Sequence, residues 1–311
     1  MKNIFLVVLI FLSNAICAQS TYSIDSSYTI KKTYTKLIKK YPFIKFAEEI
    51  KNKNVAEIND VVYQNKNRAL HLDACFSTVK KRNPAVIMIH GGGWRSGNKS
   101  QMKAMAQQIA SKGYSCFAIE YRLSLEAKYP DGIYDVKNAI RFIKDNALKF
   151  NVDPDKIAVL GCSSGGQMAA LIGTTNGNST FDDAQNKSKS SSKVDAIIDI
   201  DGVLAFKHPE SSEGEMAAFW LKGTVAENPE NWKNASPLTH TSKNTPPILF
   251  INSSIPRFHA GRDDMINILN QNHIYNVVYT INDSPHSFWF FNPWFDEVIS
   301  HTTRFLDKIF K

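Results

Sequence analysis

Apolar residues along this chain follow two patterns, and the change comes at Pro84. Before it, residues 55–63 and 70–76 alternate apolar and polar side chains. Successive side chains of a strand point to opposite faces, so this alternation predicts two strands with one wet face, as at an antiparallel edge. After it, near-continuous apolar runs recur at 85–89, 114–121, 156–160, 194–201, 247–252 and 276–282. Helical patterns lie near 100–112, near 133–150, from Ser163 to about Gly173 and at about 293–310. Strands that are apolar on both faces and separated by helices predict a mostly parallel sheet covered on both sides. The expected fold class is therefore α/β: a single domain over 19–311, with a mostly parallel central sheet flanked by helices. In such a sheet, functional groups gather at the carboxyl ends of the strands.

Two segments interrupt the alternation. Residues 174–193 are rich in Asn, Ser and Lys and show no period, which predicts a mobile surface loop. Residues 208–245 carry Phe219, Trp220, Trp232 and several prolines between two core strands. They predict a small cap of short helices above the sheet ends, an insertion bounded at about 203–245. Ahead of the sheet, the polar and aromatic stretch 19–54 predicts a helix through 36–51. There is no internal repeat.

The first 18 residues stand outside this scheme. Lys2 precedes the apolar run 4–12, and small and polar residues follow through Ala18. This is the shape of a Sec signal peptide, with an apolar run too short to span a bilayer. The expected location is secreted or periplasmic. Cys17 would allow a lipid anchor, but Ile16 and Asn14 are poor residues before a lipidated cysteine, so a lipoprotein is the lesser expectation. No later segment is long and apolar enough to be a membrane span. Three cysteines follow, Cys75, Cys116 and Cys162, a sparse and odd set that is no disulfide framework. The composition is that of an ordinary globular protein. The net charge of +8 is spread over scattered lysines with no aromatic-interleaved basic stripe, which argues against nucleic acid. A positive surface favours acidic polymers such as uronic-acid polysaccharides, and serves solubility equally well.

The chemistry concentrates at two strand ends. Gly161-Cys162-Ser163-Ser164-Gly165 reads G-x-S-x-G directly after the run 156–160 and directly before a helix. A tight strand-to-helix turn there would lift the Ser163 hydroxyl to the top of the sheet, over the N–H groups of the next helix. His90-Gly91-Gly92-Gly93-Trp94 ends the run 85–89. Its glycines can turn backbone N–H groups inward without obstruction. Acyl transfer passes through an oxyanion that needs preorganised donors, and the N–H groups of Gly92, Gly93 and Ser164 would supply them. Cys162 fills the x position of the turn and is expected to pack.

A serine hydroxyl needs a base, and the base needs an orienting acid. His286, in Ser284-Pro285-His286-Ser287-Phe288-Trp289 just after the last predicted strand, is the base candidate by position. The acid is less clear. The loop after the penultimate strand, 251–257, holds no carboxylate. Asp201 closes the run 194–201 and is the first candidate. Asp263, where a helix begins, is the alternative, although acidic residues favour helix N-termini anyway. Asp199, two residues before Asp201, reads as an internal structural partner. Trp94, Trp220, Trp232 and Trp289 could stack on sugar rings or simply pack. Arg257 and Arg262 could pair with a uronate carboxylate.

These residues together resemble the α/β-hydrolase superfamily, and within it the carbohydrate esterases that include bacterial feruloyl and acetyl-xylan esterases. The resemblance runs over about 69–311. It is carried by His90-Gly91-Gly92-Gly93-Trp94, Tyr121-Arg122-Leu123-Ser124, Gly161-Cys162-Ser163-Ser164-Gly165-Gly166, Pro285-His286, the tract 253–263 and the ending His286-Ser287-Phe288-Trp289. It implies Ser163 as nucleophile, His286 as base, an acyl-enzyme route with no cofactor and no metal, and ester groups of plant cell-wall polysaccharide as substrate. The chain departs from the pattern in lacking an acid after the penultimate strand. Two other classes stay open. An exported serine peptidase of the prolyl-oligopeptidase type uses the same turn, but usually with a large N-terminal domain for which this chain leaves no room. A non-catalytic binding protein could keep the same fold.

Overall fold

A computed structural model describes residues 23, 25–66 and 68–311. The signal-peptide expectation for 1–18, with Cys17, lies outside the described residues. In chain order the elements are α1 (Ile30–Leu37), β1 (Lys45–Phe46), β2 (Val55–Asn65), β3 (Ala69–Ser77), β4 (Asn83–Ile89), α2 (Lys103–Ala110), β5 (Ser115–Ile119), α3 (Asp131–Asp145), β6 (Val152–Cys162), α4 (Ser164–Thr174) and β7 (Ala196–Ile200). Then follow α5 (Glu215–Trp220), α6 (Pro229–Asn234), α7 (Pro237–His240), β8 (Ile248–Ser253), α8 (Arg262–Gln271), β9 (Asn276–Ile281), β10 (Phe291–Asn292) and α9 (Trp294–Phe310).

The eight-stranded sheet has the order β2-β3-β5-β4-β6-β7-β8-β9. The β2–β3 and β3–β5 pairs are antiparallel, as the alternating pattern of 55–63 and 70–76 requires. Every pair from β5–β4 through β8–β9 is parallel. The apolar runs are apolar because both faces are covered. Odd-numbered Ile87, Ile89, Val159 and Ile197 pack on the side of α3 and α4. Even-numbered Val86, Met88, Leu160 and Ile198 pack on the side of α2 and α9. Each such side chain, fully buried, stabilises the fold by roughly 1.5–3 kcal/mol. The register sets Ile89 beside Gly161, and Gly161 beside Asp199. The ends of β4, β6 and β7 thus lie next to one another, and the loops leaving them share one edge.

Two expectations need correction. The helix expected through 36–51 lies earlier, at Ile30–Leu37, because Thr29 caps it by accepting from the Lys32 N–H. Its continuation is stopped by a turn that leads to β1, and β1 pairs with β10. The loop 174–193 is tethered rather than loose. Asp182 pairs with Arg141 at 3.1 Å, Ser192 donates to Asp182 at 2.9 Å, and Phe181 is buried. Its polar residues pair with one another and with α3, which their composition alone does not reveal.

Between β7 and β8 lie the short helices α5, α6 and α7. Pro229 and Pro237 open two of them, where a missing N–H is no loss. Trp220 is buried and stacks on Trp94 at 4.8 Å and 7°. Gln167 of α4 accepts from the Trp94 indole at 2.9 Å and donates to the Ala235 carbonyl at 2.7 Å. The Ala235 bond ties the end of α6 to the helix that follows Ser163, and the Trp94 bond reaches α5 through the stack on Trp220.

Candidate active site

Ser163 sits at φ 55°, ψ −122°, a conformation that a side chain adopts only under constraint, at a cost of order 1–3 kcal/mol. Its neighbours supply the constraint. The Ser163 N–H donates to the Ile200 carbonyl at 2.8 Å. A Cβ on Gly161 would overlap the Gly165 carbonyl, and one on Gly165 would overlap the carbonyls of Ile89 and His90. The glycines of the motif are thus demanded by backbone contact. Cys162 is fully buried, and burial holds its thiol well above the ordinary range, so it is inert packing.

His286 joins Ser163 to Asp201. Its Nε2 lies 2.9 Å from Ser163 Oγ, and its Nδ1 lies 2.9 Å from Asp201 Oδ2. A carboxylate at Nδ1 can only accept, so Nδ1 carries the proton and Nε2 is left to accept from the serine hydroxyl. Asp201 is 1% exposed, and its Oδ1 accepts the Ser253 N–H at 2.8 Å. Its φ of 53° turns the chain just past β7. Asp263 is placed elsewhere. It stands in the first turn of α8 with its side chain 71% exposed and takes the Arg262 Nε–H at 2.8 Å, which holds its carboxyl below the usual range. Asp199 is buried between Gly166 and Gly202, where burial and then the charge of Asp201 push its carboxyl far up.

The glycine turn faces the same point. Gly92 and Gly93 adopt φ 132° and 60° and line the cavity beside Ser163 and Ser164. Ser164 opens α4, where an N–H has no partner within the helix. His90 anchors the turn. It is buried, stacked on Tyr121 at 4.5 Å, and desolvation pulls its imidazole down to about 4. The Tyr121 hydroxyl donates to the His90 carbonyl at 3.0 Å. Arg122 next to it grips the buried Asp135 through Nε and Nη2, both at 2.8 Å. The Tyr121-Arg122 pair is thus a brace beneath the turn.

The cavity over Ser163 measures about 310 Å³. Trp94 and Arg257 line it; Trp94 is otherwise locked against Trp220 and Gln167. Trp289 departs from its expected role. It is 1% exposed and stands edge-on to the His286 ring at 5.0 Å, outside the cavity wall, so it backs the His286 imidazole and offers no face to a sugar. Trp220 and Trp232 are likewise buried. Arg262 also turns away, donating to Asn252 at 3.0 Å and pairing with Asp263. Arg257 stays exposed at the mouth, donating to Ser212 at 3.0 Å.

Sequence reasoning missed several wall residues. Phe258 stacks on the His286 ring at 3.5 Å and 9°. Glu213, between β7 and α5, faces the cavity, and burial raises its carboxyl against the opposing pull of Arg257 and His286. Tyr28 and Lys36 come from the segment ahead of the sheet, and Met216 of α5 lies against Gly93. Phe258 adjoins Arg257 in a tract already singled out. The others carry no sequence signal, because loop packing alone brings them in. Among the described residues no cluster of His, Cys, Asp and Glu could hold a metal ion, and no helix is long and apolar enough to cross a membrane.

The family profile described as BD-FAE matches residues 72–275, well over half of the chain. The chain belongs to the BD-FAE family. The part of this BD-FAE chain that matches includes the glycine turn, Ser163 and Asp201, and ends before His286. Esterase LipC of Mycobacterium tuberculosis is 34% identical over 194 residues, 60% of this chain and 46% of LipC. The probable carboxylic ester hydrolase LipM of the same organism is 30% identical over 223 residues, 69% of this chain and 49% of LipM. The BD-FAE chain spans about half the length of the curated relatives it matches. Among solved structures, a truncated form of a carbohydrate esterase from gut microbiota is similar, with a TM-score of 0.71 and 25% identity over 84% of this chain and 98% of that one. The fold is that of the α/β-hydrolase esterases.

Proposed function

We propose that this protein is an exported serine esterase that removes acyl ester groups from plant cell-wall polysaccharide. Acetyl esters come first, with feruloyl and methyl esters as the further members of the class. The observation that carries the reading is the chain of hydrogen bonds from Asp201 through His286 to Ser163, each 2.9 Å long, at the floor of a cavity. Membership of the BD-FAE family and the likeness to a carbohydrate esterase support the substrate class.

The mechanism follows from the geometry. Ser163 Oγ attacks the ester carbonyl while His286 Nε2 takes its proton. Asp201 keeps the imidazole in the tautomer that can accept and stabilises the imidazolium that forms. The N–H groups of Gly92, Gly93 and Ser164 hold the oxyanion. His286 returns the proton to the departing alcohol, a sugar hydroxyl for an acetyl or feruloyl ester and methanol for a methyl ester of a uronate, leaving acyl-Ser163. Water, deprotonated by His286, attacks that ester in turn; the carboxylic acid leaves and Ser163 recovers its proton.

Acetylated xylan, methylated pectin and feruloylated arabinoxylan, tested side by side, decide the substrate. Fastest release from acetylated xylan is expected. Hydrolysis of p-nitrophenyl acetate with no release from any of the three polymers would overturn the polysaccharide assignment. Arg257 at the mouth is assigned to a uronate carboxylate, a charge-assisted contact. Arg257→Ala is expected to lower kcat/KM on an acidic polymer about tenfold more than on p-nitrophenyl acetate. Equal losses on both would reject that contact.

A further inference from the structure

The segment ahead of the sheet reaches both flanks of Ser163. On one flank, Asp25 accepts from Arg95 Nε at 2.9 Å and bridges to Ser96, just past Gly92 and Gly93. On the other, the Tyr28 hydroxyl lies 2.8 Å from Ser287 Oγ. Ser287 directly follows the base. It is buried, and its φ is 76°, in the region that favours glycine. A serine held there depends on its surroundings to stay. His286, with Nε2 2.9 Å from Ser163 Oγ, is its chain neighbour in the same turn.

Tyr28 is itself well held. The Gln101 amide donates to its carbonyl at 3.2 Å, and its ring tilts against Phe290 at 6.0 Å. Immediately after it, Thr29 caps α1, whose Lys36 reaches the cavity. Tyr28 also lines the cavity, but it touches neither the serine hydroxyl nor the imidazole through any described hydrogen bond. Its link to the chemistry runs through Ser287.

We propose that Tyr28 is a positioning residue for the base: its hydroxyl, bonded to Ser287, fixes the direction in which His286 presents Nε2 to Ser163. This rests on the reading of Ser163 and His286 as nucleophile and base. A base that is misdirected by a fraction of its hydrogen-bond length loses transition-state alignment more than substrate binding, so the effect belongs in kcat.

Tyr28→Phe keeps the ring and the cavity wall and removes only the hydroxyl. With active sites counted by a fluorophosphonate probe, kcat per labelled site on p-nitrophenyl acetate is expected to fall about five- to thirtyfold, with KM unchanged within about twofold. Ser287→Ala should give a similar loss. The double variant should be no worse than the worse single one, because both changes delete the same bond. Losses that multiply in the double variant would overturn the proposal. So would variants that melt earlier but keep full kcat per labelled site, the signature of mere packing. Wild-type protein that takes no label and turns over no ester would overturn the nucleophile assignment and this proposal together, whereas labelled variants with unchanged kcat would overturn this proposal alone.

Discussion

Ser163→Ala is expected to lose nearly all ester turnover, on the order of 10⁴- to 10⁶-fold in kcat, while the chain stays folded. The loss is large because the variant has no atom to form the acyl bond, and water would have to attack unaided across the same donors. The fold should survive because the side chain contributes one hydrogen bond, to an imidazole that is partly open to solvent. The strained backbone at 163 is set by Ile200 and the flanking glycines, and alanine inherits it. Circular dichroism and thermal unfolding should match the wild type within a few degrees, while p-nitrophenyl acetate hydrolysis falls to background. Near-normal turnover in this variant would end the assignment.

Asp201→Asn is expected to lower kcat about 10⁴-fold with the fold intact. The asparagine oxygen can still take the Ser253 N–H, which leaves its NH₂ facing His286 Nδ1. A donor there forces the proton onto Nε2, the nitrogen that must accept from Ser163. The imidazole is then present, correctly placed, and in the wrong tautomer. Asp263→Asn should change kcat less than about twofold, because that carboxylate is exposed and engaged with Arg262. Kinetics of the two variants on one small ester separate the candidates, and a larger loss at Asp263 than at Asp201 would reverse the assignment.

The strands of the central sheet were legible because burial on both faces leaves no room for polar residues in runs such as 85–89 and 157–160. The approach of the glycine turn to the G-x-S-x-G turn was legible for the same reason, since adjacent parallel strands deliver their ends to one place. The acid was harder. Asp201 stands just past β7 at positive φ, with its carboxylate 2.9 Å from His286, and no pattern of hydrophobicity encodes either the turn or that contact. Trp289 misled for a related reason. An aromatic residue after the base can face the substrate or back the imidazole, and only packing decides. The helix Ile30–Leu37 and the contributions of Tyr28, Lys36 and Glu213 depend on long-range contacts between loops. Loop sequence records such contacts poorly.

The central claim is that the hydroxyl at 163 is made nucleophilic by His286 and Asp201. The direct measurement is to treat the full chain with a fluorophosphonate, digest it and locate the adduct by mass spectrometry. The account predicts one adduct per chain, on Ser163, forming in step with the loss of esterase activity and slowed at least a thousandfold in His286→Ala. An adduct on another residue, Ser164 included, or a chain that hydrolyses esters at full rate while Ser163 stays unmodified, would contradict it.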